Sequence, residues 1–192
     1  MKIFLNYVKN FSCIIVTLSD SVVSKTENED NISLLYNEKE LVGINIFNVN
    51  LDDYQNKLED KNLINVVNNE LEKINIKLTF ENQFIIAKVG RLESIPNTHL
   101  SLCKVDNGSE WLQVVCGAKN VREGMFVALA TVGSWLPNGI QLKKSQIAGF
   151  DSYGMLCSKK ELNIKNDNIN DIGIMDLNTS ESMLGESLWK IL

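Results

Sequence analysis

The sequence predicts a mainly β protein, a small closed barrel preceded by a small α+β domain. Three observations carry that expectation. From residue 84 onward, short strand-like segments alternate with glycine-containing turns; a helical period occurs in only one stretch, 57–74; and the charge balance changes sign near residue 80. The expected organisation is therefore an α+β domain over 1–80 and a barrel over 81–192, within the size range of ordinary domains.

The first domain opens on two apolar segments, 2–8 (KIFLNYV) and 12–18 (SCIIVTL), read as strands around a polar KNF turn. The polar tract 19–31 (SDSVVSKTENEDN) reads as a loop, and 33–36 with 40–49 as a further strand pair turned by NEKE. In 57–74, Leu63, Val67, Leu71 and Ile74 recur three or four residues apart, a stripe that lets a helix cover one face of the sheet. Asp52 and Asp53 read as a solvated turn or helix cap rather than a general acid/base pair.

The second domain starts with the strand 84–95 (FIIAKVGRLESI), broken by Pro96 and Asn97. In 101–106, Leu102, Lys104 and Asp106 alternate with Cys103 and Val105, and Asp106-Asn107-Gly108 turns the chain into 111–115. A strand in FVALATVG, the loop SWLPNG and a last strand near 140–148 complete five, and closure is favoured because it removes exposed edges. Beyond them, 172–177 reads as an added strand and 187–192 as a closing helix or strand. Phe84, Leu102, Val114 and Leu129 are core by pattern.

Net charge is −5, which by itself argues against a nucleic-acid partner. The average conceals a distribution. Residues 1–80 hold 8 lysines against 12 acids, 81–165 hold 10 lysines and arginines against 7, and 166–192 hold 1 lysine against 5. The only basic segment is the middle of the chain.

Chemistry is sparse. His99 is the only histidine, which argues against a His-rich metal centre and a Ser-His-Asp triad, and no GxxxxGK[ST] or GxGxxG motif occurs. No cofactor is expected. Cys13, Cys103, Cys116 and Cys157 form no CxxC, as suits buried thiols in a reducing compartment. With no targeting segment and no apolar run near the roughly 18 residues a membrane span needs, the expected location is cytoplasmic and no membrane partner is expected.

Four segments carry a more specific signal: LCKVDNG (102–108), LQVVCGAKNVREGMFVALATVG (112–133), LKKSQIAGFDSYGMLCSKKEL (142–162) and GIMDL (173–177). In order and spacing they resemble the tRNA-binding domain found in the phenylalanyl-tRNA synthetase beta chain, in methionyl-tRNA synthetase appendices and in free-standing bacterial proteins of the YtpR type. The resemblance spans roughly 84–192. It implies an OB-fold barrel, a non-catalytic role, tRNA as partner and a possible homodimer.

The match is not uniform. The family's Gly-Ala-Pro-Asn is Gly117-Ala118-Lys119-Asn120 here, its His-Pro is Ile95-Pro96, and the arginine before Gly149 is Ala148. Lys143 and Lys144 match a basic pair, and Gly149, Ser152, Gly154 and Met155 match as they stand.

The nucleic-acid-binding set expected from these loops is Lys119, Asn120, Arg122, Lys143, Lys144, Ser152, Ser158 and Lys159, with Lys160 beside it. Lysine and arginine suit phosphate, while Asn120 and Ser152 can donate or accept at a sugar or unpaired base. Asn120 equally suits a cap or bridge within its own loop. Ser158 and Glu161 fit a capping box that starts a short helix. Cys157 and Met155 read as core, Gly149 and Gly154 as tight backbone positions, Trp111 as cover for the barrel side, and Trp135 as packing or interface rather than a stacking surface. The competing function is a protein-interaction or dimerisation module, favoured by the acidity of the chain and the two absent side chains at Ile95 and Ala148.

Overall fold

A computed structural model describes residues 1–52 and 54–192, so the Asp52–Asp53 pair falls partly outside the described residues. The chain divides into two compact units, Met1–Glu81 and Asn82–Leu192.

In the first unit, β1 (Phe4–Val8), β2 (Cys13–Thr17), β3 (Lys25–Glu29), β4 (Ile32–Asn37) and β5 (Glu40–Ile46) form an antiparallel sheet in the order β1-β2-β5-β4-β3. Helix α1 (Lys61–Glu72) is shorter than the 57–74 stripe because Asp60 stops it at the front, its carboxylate accepting from the Asn62 and Leu63 amides at 2.8 and 2.9 Å. Leu63, Val67 and Leu71 share a core with Ile14, Val16, Ile44 and Ile46 of the sheet.

β3 corrects the sequence reading, which made 19–31 a loop. All five residues of β3 are exposed, so no apolar alternation marks it, and backbone pairing to β4 alone makes it a strand. Its Lys25, Glu27 and Glu29 also guard a sheet edge against further pairing.

The second unit is the expected OB-type barrel. Strands β6 (Phe84–Ser94), β7 (Ser101–Asp106), β8 (Trp111–Cys116), β9 (Phe126–Thr131) and β12 (Gly154–Leu156) run in the order β12-β9-β6-β7-β8. The two end strands then meet. Tyr153 N–H donates to the Gln113 carbonyl at 2.9 Å, and the Ser152 hydroxyl accepts from Val115 N–H at 3.1 Å while donating to the Gly154 carbonyl at 3.0 Å. Gly154 has no room for a side chain, since a Cβ would stand 2.9 Å from the Ala130 carbonyl oxygen. Phe84, Val114 and Leu129 are fully buried, together with Val89, Val105 and Val127.

The fifth barrel strand is therefore β12 and not a segment near 140–148. That region instead contributes β10 (Ser145–Ile147), which pairs only with β11 (Phe150–Ser152) in an exposed hairpin. Its turn needs positive φ at Ala148 (51°) and Gly149 (84°), the geometry of a two-residue hairpin turn. Leu102 is half-buried on the outward face with Lys104, because the alternation that buries Cys103 and Val105 turns it away from the core. Residues 172–177 form no strand; Met175 N–H and Leu177 N–H nonetheless bond to the Cys157 and Phe126 carbonyls, each at 2.9 Å. The end of the chain bridges β6 at Ser187 and finishes as a 3-10 turn over Leu188–Lys190.

Trp135 is buried, its backbone amide donating to Gln83 Oε1 at 2.8 Å. No helix among the described residues is long and apolar enough to cross a membrane. Because the Ser152 hydroxyl serves two buried backbone groups, Ser152→Ala is expected to destabilise the protein by about 1–3 kcal/mol in urea unfolding, with the m-value unchanged.

Candidate nucleic-acid interface

An OB barrel presents its second and third strands, and the loops joining strands one to two and four to five, to oligonucleotides. In this chain those are β7 and β8, the loop 95–100, and the long connection 132–153 that carries the β10–β11 hairpin. Residues 143–150 of that connection are all exposed. Lys143 and Lys144 enter it, and Lys144 Nζ lies 2.7 Å from Asp151 Oδ2 and 4.7 Å from the Tyr153 ring centroid. The Asp151 carboxylate and the Tyr153 hydroxyl hold the Lys144 ammonium above its ordinary pKa, and Lys144 holds Asp151 below its own.

A groove of about 470 Å³ opens beside the same seam, lined by Val115, Gly117 and Ala118 on one side and Met155, Ser158 and Lys160 on another. Val115 joins the two features, lining the groove while its N–H bonds to Ser152 at the base of the hairpin. Met155 is thus a half-buried wall of this groove and not a core plug. Lys119 is exposed in the next position after Ala118, and Lys160 is exposed at the groove itself. His99 of the 95–100 loop lies near Gly117, where an added Cβ would stand 3.7 Å from His99 Nε2.

The remaining expected residues are employed by the fold. Asn120 neither caps its own loop nor faces outward: Nδ2 donates to the Ile174 carbonyl at 2.8 Å and Oδ1 accepts from Ile174 N–H at 3.0 Å. Gly173, at φ 79°, makes this clamp possible, because a Cβ there would fall 2.0 Å from Asn120 Oδ1. Lys159 is turned inward, its side chain only 12% exposed, with Nζ donating to the Asn166 and Ile169 carbonyls at 3.2 and 3.1 Å and 2.6 Å from Asp171 Oδ1. That ammonium holds the Asp171 carboxyl below its ordinary value. Arg122 is exposed and paired with Asp176 at 2.8 Å, beside a separate polar recess.

Ser158 and Glu161 do make the capping box, with Ser158 N–H and Oγ both donating to Glu161 Oε2 at 2.7 Å. No helix follows. The chain closes into one turn in which Ile164 N–H returns to the Lys159 carbonyl, with Asn163 at φ 54°. Ser158 and Lys160 therefore line the groove, Lys119 follows its residue Ala118, Lys143 and Lys144 lead into the adjoining hairpin, and Arg122 lies elsewhere; Asn120, Ser152 and Lys159 are committed to the fold.

The thiols divide the same way. Burial pushes Cys157 up to about 12, the behaviour of a packed thiol. Cys103 and Cys116 are a buried pair of thiols that act on each other, the former raised and the latter lowered by the interaction between them. Among the described residues no group of three or more potential metal ligands is assembled.

Lys104 was missed as a candidate although its alternation with Cys103 and Val105 already placed it on the outer barrel face. It is exposed, opposite Gln113 in the β7–β8 register, with Nζ 5.8 Å from the Trp111 ring centroid.

Comparison with known proteins bears directly on this arrangement. Residues 84–178 match the family described as "Putative tRNA binding domain". The chain is 36% identical over 145 residues to the "Putative tRNA-binding protein YtpR" of Bacillus subtilis, covering 70% of this chain and 72% of that protein. It is 49% identical over 104 residues to the "Uncharacterized protein MG449" of Mycoplasma genitalium, covering 54% of this chain and 44% of that one. The MG449 homolog of Mycoplasma pneumoniae is 38% identical over 157 residues, with 65% of its length covered. The chain thus spans between about two fifths and two thirds of these two Mycoplasma relatives. The phenylalanine–tRNA ligase beta subunit of Anaplasma marginale is 39% identical over 131 residues, 17% of its length.

Two outcomes are expected from the structural assignments. Asn120→Ala removes both bonds to Ile174 and should destabilise the protein by about 1–3 kcal/mol in urea unfolding. Lys159→Met should also destabilise it, and part of the difference from wild type depends on pH. Because Asp171 has a lowered pKa in the folded state, its contribution is present above the unfolded carboxylate pKa of about 3.9 and is lost as pH falls through the lower folded value. Thermal melts of the two proteins should therefore converge in part at acid pH.

Proposed function

The chain belongs to the family of YtpR-like proteins that carry this tRNA-binding domain, and on that premise we propose that it is a non-catalytic RNA-binding protein whose ligand is tRNA. The observation that carries the reading is the exposed pair Lys143 and Lys144 on the 132–153 connection, beside a groove lined by Ser158 and Lys160 as well as Glu161 and Asp171, with exposed Lys119 following the groove residue Ala118. These cations lie on the part of an OB barrel that faces nucleic acid, and phosphate contact needs mobile positive charge more than a shaped cavity. Folded RNA would be met chiefly through phosphates and 2′-hydroxyls.

Within the same proposal, Asn120, Ser152 and Lys159 act by fixing the groove walls, and Arg122 reaches phosphate only by exchanging Asp176 for it. Pairing of two copies and a cytoplasmic location also belong to it. Exposed Ile147 and Phe150 at the hairpin tip offer an apolar contact for a second copy, and four free, buried cysteines suit a reducing compartment.

The test is retention of bulk tRNA on filters across a salt series. Wild type should bind with log affinity falling linearly as log salt rises, by about 0.9 for each phosphate engaged in duplex regions. Lys143→Glu/Lys144→Glu should bind at least tenfold more weakly at low salt and show a shallower slope, with its circular dichroism unchanged. Equal retention by the double variant would remove these lysines from the interface.

A further inference from the structure

The outer face of the barrel carries a second feature that the basic loops do not explain. Trp111, the first residue of β8, is a large aromatic left 51% exposed. Its position is not that of a loose surface side chain. β6 has a register irregularity between Val89 and Arg91, and Gly90 lies within it. A Cβ on Gly90 would stand 2.2 Å from Trp111 Cζ3 and 2.5 Å from Cη2, so the benzene half of the indole rests directly on bare backbone. One side of the ring is seated there while half of its surface stays open to solvent.

Two further observations extend the seat into a strip. Gln113 lies two residues along β8 on the same side as Trp111, and Tyr153 N–H bonds to its carbonyl at 2.9 Å. The Gln113 side chain meanwhile donates to the Asp151 carbonyl at 2.7 Å, which ties that residue to the segment carrying Tyr153. Tyr153 is itself 37% exposed. A cation attends each ring: Lys104 Nζ is 5.8 Å from the Trp111 centroid, and Lys144 Nζ is 4.7 Å from that of Tyr153. Lys104 forms no ion pair among the described residues, and Arg91 adjoins it in the β6–β7 register.

We propose that Trp111 and Tyr153 form a stacking platform for unpaired RNA bases, with Lys104 and Lys144 positioned for the adjoining phosphates. The inference rests on the RNA-binding reading above and adds to it the kind of nucleotide that is bound. Alternating rings and cations suit a strand whose bases are exposed and whose backbone is negative; an A-form duplex offers no base face to a ring. An apolar protein partner would be poorly matched to a strip in which both rings lie beside ammonium groups.

The experiment uses the full chain with a short single-stranded oligouridine and with bulk tRNA, each titrated across a salt series. Trp111→Ala should weaken oligouridine binding by about 5- to 100-fold, the range that loss of one stacked base spans. The slope against log salt should stay as in wild type, because no phosphate contact is lost. Trp111→Phe should recover most of the affinity, and Tyr153→Ala should weaken binding independently, which preserves the test if either alanine variant folds poorly. Unchanged oligouridine affinity in folded Trp111→Ala and Tyr153→Ala would overturn the platform. Loss of self-association in sedimentation with RNA affinity intact would overturn it in favour of a dimer contact. Wild type that retains tRNA but not oligouridine would overturn the platform alone, whereas wild type that retains neither at low salt would take the RNA-binding reading with it.

Discussion

Closure of the barrel depends on a short seam where β8 meets the chain entering β12, and most of the surface chemistry follows from how that seam is satisfied. A sheet edge left open inside a small barrel would strand backbone donors and acceptors. Here β12 has only three residues, too few to pair along the whole of β8. The deficit is met by the Tyr153 amide, the Ser152 hydroxyl and the Gln113 side chain. Ser152 is thereby 2% exposed and committed to the backbone. The same bonds bring Tyr153 alongside β8 and fix the base of the hairpin that Lys143 and Lys144 lead into, so a structural repair also helps place two cations and a ring.

A second economy governs charge. The chain is acidic overall, yet several of its basic side chains in the barrel are matched to acids close by: Lys144 to Asp151, Arg122 to Asp176 and Lys159 to Asp171. These pairs differ in kind. Lys159 is enclosed and also bonds two carbonyls, so it cannot leave without exposing them. The pairs of Lys144 and Arg122 are solvent-exposed, worth little individually and weakened by salt, so a phosphate can replace the carboxylate at small cost. Net charge is therefore a poor guide to partners; the acids of 166–192 are in part local counter-ions to cations in the preceding barrel loops.

Much of the architecture was legible because it follows from period. The helix stripe through Leu63, Val67 and Leu71, the alternation in 101–106 and the Asp106-Asn107-Gly108 turn each translate directly into an observed element. What could not be read was structure imposed by pairing without burial. β3 and β10 expose every residue, so neither leaves an apolar pattern, and the latter's neighbourhood was mistaken for the fifth barrel strand. The candidate site was less legible still. Residue type distinguishes a cation from an amide, but whether Lys159 points outward or into its own turn depends on carbonyls of Asn166 and Ile169 whose position no local pattern encodes. Asn120 is the same case across a separation of 54 residues.

The Gly90–Trp111 contact shows how a surface can be both built and open. An exposed tryptophan left to its rotamers would lose conformational freedom on meeting a ligand, and that loss subtracts from affinity. Resting the ring on a glycine removes part of the freedom during folding, before any ligand arrives. The cost falls on β6, where glycine weakens a long strand and the register shifts. β6 can absorb it because pairing to β9 and the fully buried Ile86 and Ala87 secure the strand before Gly90, and pairing to β7 continues beyond it. Basic loops supply attraction that reaches across solvent and fades with salt, whereas a seated ring acts only on contact and is nearly indifferent to salt. On the proposed reading, possession of both would let encounter and discrimination depend on different residues: ammonium groups for the first, and the accessibility of an unpaired base to Trp111 for the second.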